Sequence, residues 1–204
     1  MLVDHLIYAA PELATAVGDV EERFGVRAQA GGKHIGLGTH NALLALGPRT
    51  YLEIIAPDPG QPGSSMPCLF GAGGVTGGGL VGWAIAYDDI DETVAEARSR
   101  GYDPGEVTDG QRVGPTGTVL RWRATPIALD GRLVPFLICW GDTEHPARSA
   151  PPGLVLESFQ IEHPDPPSLA PLLTALGADV EVKPATAAAR VAHLSGPNGR
   201  KVLR

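Results

Sequence analysis

The sequence predicts an α+β fold built from repeated βαβββ units, and two observations carry this. First, one pattern occurs three times: an alternating apolar strand, a short acidic or Pro-containing turn, an amphipathic helix and a glycine stop. The copies open at Asp4-His5-Leu6-Ile7-Tyr8, at Gly82-Trp83-Ala84-Ile85-Ala86 and at Glu157-Ser158-Phe159-Gln160-Ile161, and their helices end at Gly25, Gly101 and Gly177. A long-period repeat means copies of one supersecondary unit that bury their apolar faces against each other. Second, the segments after the helices are short apolar runs punctuated by Gly and Pro, which is how strands and hairpins read.

Composition bounds the rest. The chain has 204 residues, enough for a sizeable core, and 43% of them are apolar, which excludes disorder. No apolar run approaches the ~20 residues that span a bilayer. The start, Met1-Leu2-Val3-Asp4, has no basic n-region, so no signal peptide is expected. A net charge of −7 and 5% aromatic residues argue against nucleic acid. Cys68 and Cys139 form neither a disulfide framework nor a CxxC site. A cytoplasmic protein is expected.

Unit one begins with a strand over 3–9 whose alternation puts Val3, His5 and Ile7 on one face and Asp4, Leu6 and Tyr8 on the other. Pro11 suits the first turn of a helix striped by Leu13, Val17, Val20 and Phe24. Gly31-Gly32 precedes a strand from His34, a turn near 36–38, and strands over 41–46 and 51–56. A Gly-, Pro- and Ser-rich linker, 57–79, carries Met66, Cys68, Leu69 and Phe70, which could fold over a site. Its glycines lack the phosphate-loop pattern, which discounts nucleotide binding. Unit two has a strand over 80–87 and a helix capped by Asp89 or Asp91 with the stripe Ile90, Val94 and Ala97. A long hairpin, 119–124 and 134–140, turns at Asp130-Gly131. After a second Pro-containing linker, 141–153, unit three has strands over 155–161, 180–183, 190–195 and 201–203 and a helix over 168–176.

The residues Asp4-His5-Leu6-Ile7-Tyr8, Gly31 to Leu43, Tyr51 to Asp58, Leu120-Arg121-Trp122-Arg123, Pro135 to Trp140 and His145-Pro146 resemble the vicinal oxygen chelate superfamily. Its members include glyoxalase I, extradiol dioxygenases and bleomycin-resistance proteins, and the chain looks like its bacterial glyoxalase-like domain group. The resemblance implies that two units curl into a cup-shaped mixed sheet. They would form one domain over 1–140 (units 1–58 and 80–140), with a third, shorter βαββ copy over 154–204 packed on it. It also implies metal ligands on the first and last strands of each unit. In unit one these positions are His5 and Glu53. In unit two they fall on Gly82 or Trp83 and on Ile138 or Cys139, so half of that ligand set is missing.

The candidate chemistry follows. His5 and Glu53, with His40 or His34 as a third donor, could hold one divalent metal (Zn, Mn, Fe or Ni). Alternatively, His5 and Glu53 form a satisfied buried pair, or Glu53 acts without metal as a base. Thr39 and Asn41 on the glycine turn could bind substrate, and His40 could shuttle a proton; turn capping is the alternative. Arg121 and Arg123 share a strand face and could grip an anion, or simply face solvent. Trp83, Trp122 and Trp140 could line an apolar pocket or pack the core. His145 and His163, each before a proline, read as loop residues. The expected function is a small-molecule enzyme, a lyase or isomerase acting on a carbonyl-containing substrate. A non-catalytic protein that binds or sequesters a small molecule is the alternative. Partners are a small-molecule ligand, neither nucleic acid nor membrane, with the chain a monomer or homodimer.

Overall fold

The computed structural model describes residues 3–61, 77–127 and 133–204. The linker segment with Met66, Cys68, Leu69 and Phe70 and the Asp130-Gly131 turn lie outside these described residues.

Unit one comprises β1 (Val3–Ala9), α1 (Leu13–Phe24), β2 (Gln29–His34), β3 (Thr39–Gly47) and β4 (Thr50–Pro57). Its helix begins because Glu12 accepts the backbone N–H groups of Ala14 and Thr15, and it ends where Gly25 turns left-handed at φ 80°. Pro11 therefore lies before the cap rather than in the first turn. Val17, Val20 and Phe24 are buried, as the stripe requires. Gly31 and Gly32, read as a break before a strand, lie inside β2, and His34 ends that strand rather than starting it.

Unit two comprises β5 (Gly79–Ala86), α2 (Ile90–Ser99), β6 (Thr108–Val113), β7 (Val119–Ala124) and β8 (Phe136–Cys139). Asp89 caps α2 through the Glu92 N–H, and Ile90, Val94 and Ala97 are its buried residues. β6 was not anticipated, because Thr-Asp-Gly-Gln-Arg-Val has no apolar alternation. β7 and β8 pair antiparallel, as the predicted hairpin requires.

The eight strands close into a barrel in the order β1-β4-β3-β2-β6-β7-β8-β5. Within each unit the first strand runs parallel to the last, His5 opposite Tyr51 in one and Ala84 opposite Phe136 in the other. Two antiparallel seams join the units. β1 and β5 share a ladder from Val3↔Ile85 to Ala9↔Gly79, whereas β2 and β6 share the single pair Lys33↔Val113. At this second seam a side chain on Gly32 would meet the Val113 carbonyl oxygen at 2.2 Å, so only glycine allows the approach.

Unit three comprises β9 (Val155–His163), α3 (Pro166–Ala175), β10 (Glu181–Pro184), β11 (Ala189–Gly196) and β12 (Gly199–Leu203), in a separate sheet ordered β10-β9-β11-β12. It has three strands after its helix, and its first strand runs parallel to β10, the first strand after the helix, rather than to the last. It packs on the barrel through Trp83, which is fully buried against Phe159 at 5.0 Å and donates to the Leu133 carbonyl at 2.8 Å. The Tyr87 hydroxyl donates to the Leu176 carbonyl at 2.6 Å. Trp83 thus belongs to the core. Among the described residues, no helix is long and apolar enough to cross a membrane.

Candidate active site

The barrel encloses a cavity of about 410 Å³. One wall comes from unit one: His5 on β1, His34 on β2, Thr39 and Asn41 on β3, Tyr51 and Glu53 on β4. The facing wall comes from unit two, with Arg112 on β6, Trp122 on β7, Phe136 and Ile138 on β8, and Trp140 just after it. Polar groups gathered on one side, and an aromatic and aliphatic surface broken by Arg112 on the other, are what a small-molecule site needs.

The polar wall is ordered by short bonds. Glu53, 7% exposed, accepts the Asn41 Nδ2–H on Oε1 at 2.6 Å. Its Oε2 lies 3.8 Å from His5 Nε2, and Oε1 lies 3.6 Å from His34 Nε2. Both separations exceed a hydrogen bond. Each imidazole is pinned by its other nitrogen: His5 Nδ1 to Asp4 Oδ1 at 2.6 Å, His34 Nδ1 to Thr39 Oγ1 at 2.9 Å. His5 also stacks on Tyr51 at 4.6 Å.

Asp4 is the hub behind this wall. Besides His5, it accepts His145 Nε2 at 2.9 Å and Trp140 Nε1 at 3.0 Å on Oδ2. Burial pushes its carboxyl up, but the bonds from His145 and His5 outweigh that and hold it well below the ordinary carboxylate range. An ionised Asp4 requires Nδ1–H on His5, which leaves the lone pair of a neutral His5 on Nε2, facing Glu53. Burial lowers the His34 pKa against the opposing field of Glu53, so that ring is neutral. Burial, with Glu53 and Asp4 nearby, raises the Tyr51 phenol well above its usual value and keeps its proton.

The structure sorts the expected residues by strand face. It brings together His5, Thr39, Asn41, Glu53 and Trp140. His40 is not among the lining residues: it alternates with Thr39 and Asn41 and turns to the outer face. His34 takes the place near Glu53 instead. Arg121 and Arg123 share a face as expected, but it is the outer one: Arg121 bonds Gln111 at 2.8 Å and Arg123 grips Asp91 with two bonds, at 2.6 and 2.9 Å. Trp122 points inward in their place. The sequence reading missed Asp4, Arg112 and His145. The first two are hidden by a bulge and by a strand without alternation. His145 is buried, capping a short 3-10 turn (Pro146–Arg148) by accepting the Ala147 N–H at 3.2 Å. The other histidine read as a loop residue, His163, keeps a local bond to the backbone around Asp165.

A divalent metal is the cofactor implied by the resemblance. Among the described residues, no group of three His, Cys, Asp or Glu side chains is arranged to hold a metal ion. The donor positions explain why. The two imidazoles address different oxygens of Glu53, Asn41 already occupies Oε1, and of the unit-two positions where further ligands are expected (Gly82 or Trp83, Ile138 or Cys139) only the apolar Ile138 lines the cavity. The residues present do not fit a resident ion.

The model of the glyoxalase-like domain family matches residues 3–177. The chain belongs to that family. Its solved relatives share the fold at low identity. A hypothetical protein from Staphylococcus aureus is 17% identical with a TM-score of 0.64, over 96% of this chain and 82% of that one. Methylmalonyl-CoA epimerase from Mycobacterium tuberculosis is 19% identical with a TM-score of 0.47, over 70% and 88%. A hypothetical protein from Bacillus halodurans is 16% identical with a TM-score of 0.48, over 70% and 95%. No curated protein matches the chain. This glyoxalase-like chain departs from the expected ligand pattern of its superfamily in its second unit, whose first and last strands offer no His, Gln or Glu.

Proposed function

We propose that this glyoxalase-like protein is a small-molecule lyase or isomerase that moves a proton at the carbon next to a carbonyl group, using its own side chains. The observation behind this reading is the placement of Glu53: buried in the cavity wall, oriented through Oε1 by Asn41, with Oε2 outside hydrogen-bond reach of His5. A carboxylate so placed can accept a proton. The C–H bond breaks, the proton passes to Glu53 Oε2, and the electron pair moves onto the carbonyl oxygen to give an enolate. The protonated Tyr51 hydroxyl is a donor for that oxygen. His5, with its Nε2 lone pair directed by Asp4, lines the same cavity and is a second acceptor for a substrate proton, which allows transfer between two carbons or two faces. The aromatic wall excludes water and holds the body of the substrate.

A divalent ion would have to rest on His5, His34 and Glu53, which do not form a shell, so no step is assigned to one. A second reading, a binder without chemistry, draws on the apolar unit-two positions. Proton NMR in D2O separates the two. With dihydroxyacetone, phenylpyruvate and the methylglyoxal hemithioacetal as substrates, the wild type exchanges the α-hydrogen of at least one above the buffer rate, and Glu53→Gln loses about 10²-fold or more. Ligand binding without any exchange would support the binder.

A further inference from the structure

Arg112 and Arg190 are the buried arginines among the described residues, and of the two only Arg112 lines the cavity. It is 6% exposed, and among the described residues no hydrogen bond or ion pair closes on its guanidinium. Glu53 is within its field but beyond ion-pair distance. A buried guanidinium without a partner is costly, and an anion bound in the cavity beside Arg112 would relieve that cost. The fold makes room for it. A side chain on Gly31 would meet Arg112 Nη1 at 2.6 Å and Asn41 Oδ1 at 2.2 Å. Asn41 Oδ1 is itself buried without a donor. The orphaned Asn41 Oδ1 and the Arg112 guanidinium thus both border the space that the missing Gly31 side chain leaves open, at the edge of the cavity.

Resting on the proton-transfer reading above, we infer that Arg112 binds the carboxylate of an anionic carbonyl substrate, a keto or hydroxy monocarboxylate with a compact apolar or aromatic body. The charge count selects the class. Among the described residues lining the cavity, Arg112 is the one arginine or lysine, and the carboxylates of Glu53 and Asp109 share the lining. One guanidinium matches one carboxylate through two parallel bonds. A dianionic phosphate would meet a single cation and the opposing charge of Glu53. Trp122, Phe136 and Ile138 supply the surface for the apolar body. With the carboxylate on Arg112, the adjoining carbons extend toward Glu53 on the facing wall.

The test uses two inert probes of equal shape, phenylacetate and phenylacetamide, titrated by calorimetry. The wild type prefers phenylacetate by about tenfold or more, the value of a charge-assisted hydrogen bond. Arg112→Met removes the preference while phenylacetamide binds as before, which shows that the cavity still folds; Arg112→Lys restores part of it. Equal binding of the two probes, a preference that survives Arg112→Met, or no binding of either at millimolar concentration overturns the inference. Glu53→Gln separates it from the catalytic reading. A retained preference in a protein that exchanges no α-hydrogen leaves the carboxylate site standing and removes the chemistry. Exchange without the preference does the reverse.

Discussion

Asp4 and His5 are consecutive residues of one strand, yet their side chains meet at 2.6 Å. A regular strand sends neighbours to opposite faces. The register of β1 against β5 slips between Val3 and His5, where Val3 faces Ile85 and His5 faces Ala84. This bulge turns Asp4 toward the cavity wall, behind the imidazole it orients. Bulges re-aim side chains next to active sites in this way.

Asp4→Asn therefore removes the charge that fixes the His5 proton on Nδ1 and that collects His145 and Trp140. The variant unfolds at lower denaturant at pH 7, by about 1–3 kcal/mol. Because the native carboxyl is held below its unfolded value of 3.8, its contribution is fully present above that pH and fades as the pH falls below it. Denaturation curves of wild type and variant thus converge toward acid. A gap that persists unchanged in acid would mean that the Asp4 charge is not the source of the difference.

Gly31→Ala forces a methyl group against Asn41 Oδ1 and Arg112 Nη1, both inside 3.0 Å. Overpacking of this kind costs about 1–3 kcal/mol. The expected outcome is a lower melting temperature together with loss of carboxylate probe binding. Gly18→Ala, in α1 with open space at its Cβ, serves as the control and leaves both unchanged or slightly stabilised.

Metal content tests the donor geometry directly. Elemental mass spectrometry of the purified wild type, beside His5→Ala, His34→Ala and Glu53→Ala, should find less than one equivalent of any divalent ion and no dependence on these residues. One equivalent, lost in all three variants, would show that the two imidazoles and the carboxylate draw together around an ion and would return the chemistry to it.

The repeat made the fold legible, because apolar alternation, helical stripes and glycine stops are local signals. Most of the polar wall was legible: His5, Thr39, Asn41 and Glu53 fall on strands whose alternation is strong, and His34 stood beside His40 as a candidate third donor. Alternation states which residues share a face, not which face is inside. Arg121 and Arg123 were grouped correctly, and Trp122 between them holds the inner side. Asp4 escaped because a bulge leaves no mark in a sequence. Arg112 escaped because β6 is polar throughout, and its single inward charge looks like any solvated residue. Gly31 and Gly32 were the available hint. Two glycines inside a strand signal a close approach as well as a break.

The single ladder pair between β2 and β6 has its own consequence. Lys33 and Val113 are the chain neighbours of His34 and Arg112. The barrel is sewn with one stitch at the place where the imidazole of one unit and the guanidinium of the other flank the cavity. Any loosening of that stitch changes the spacing of those two groups before it disturbs the firmly laced join at β1 and β5. The width of the binding chamber is thus set where the two halves of the molecule hold each other least.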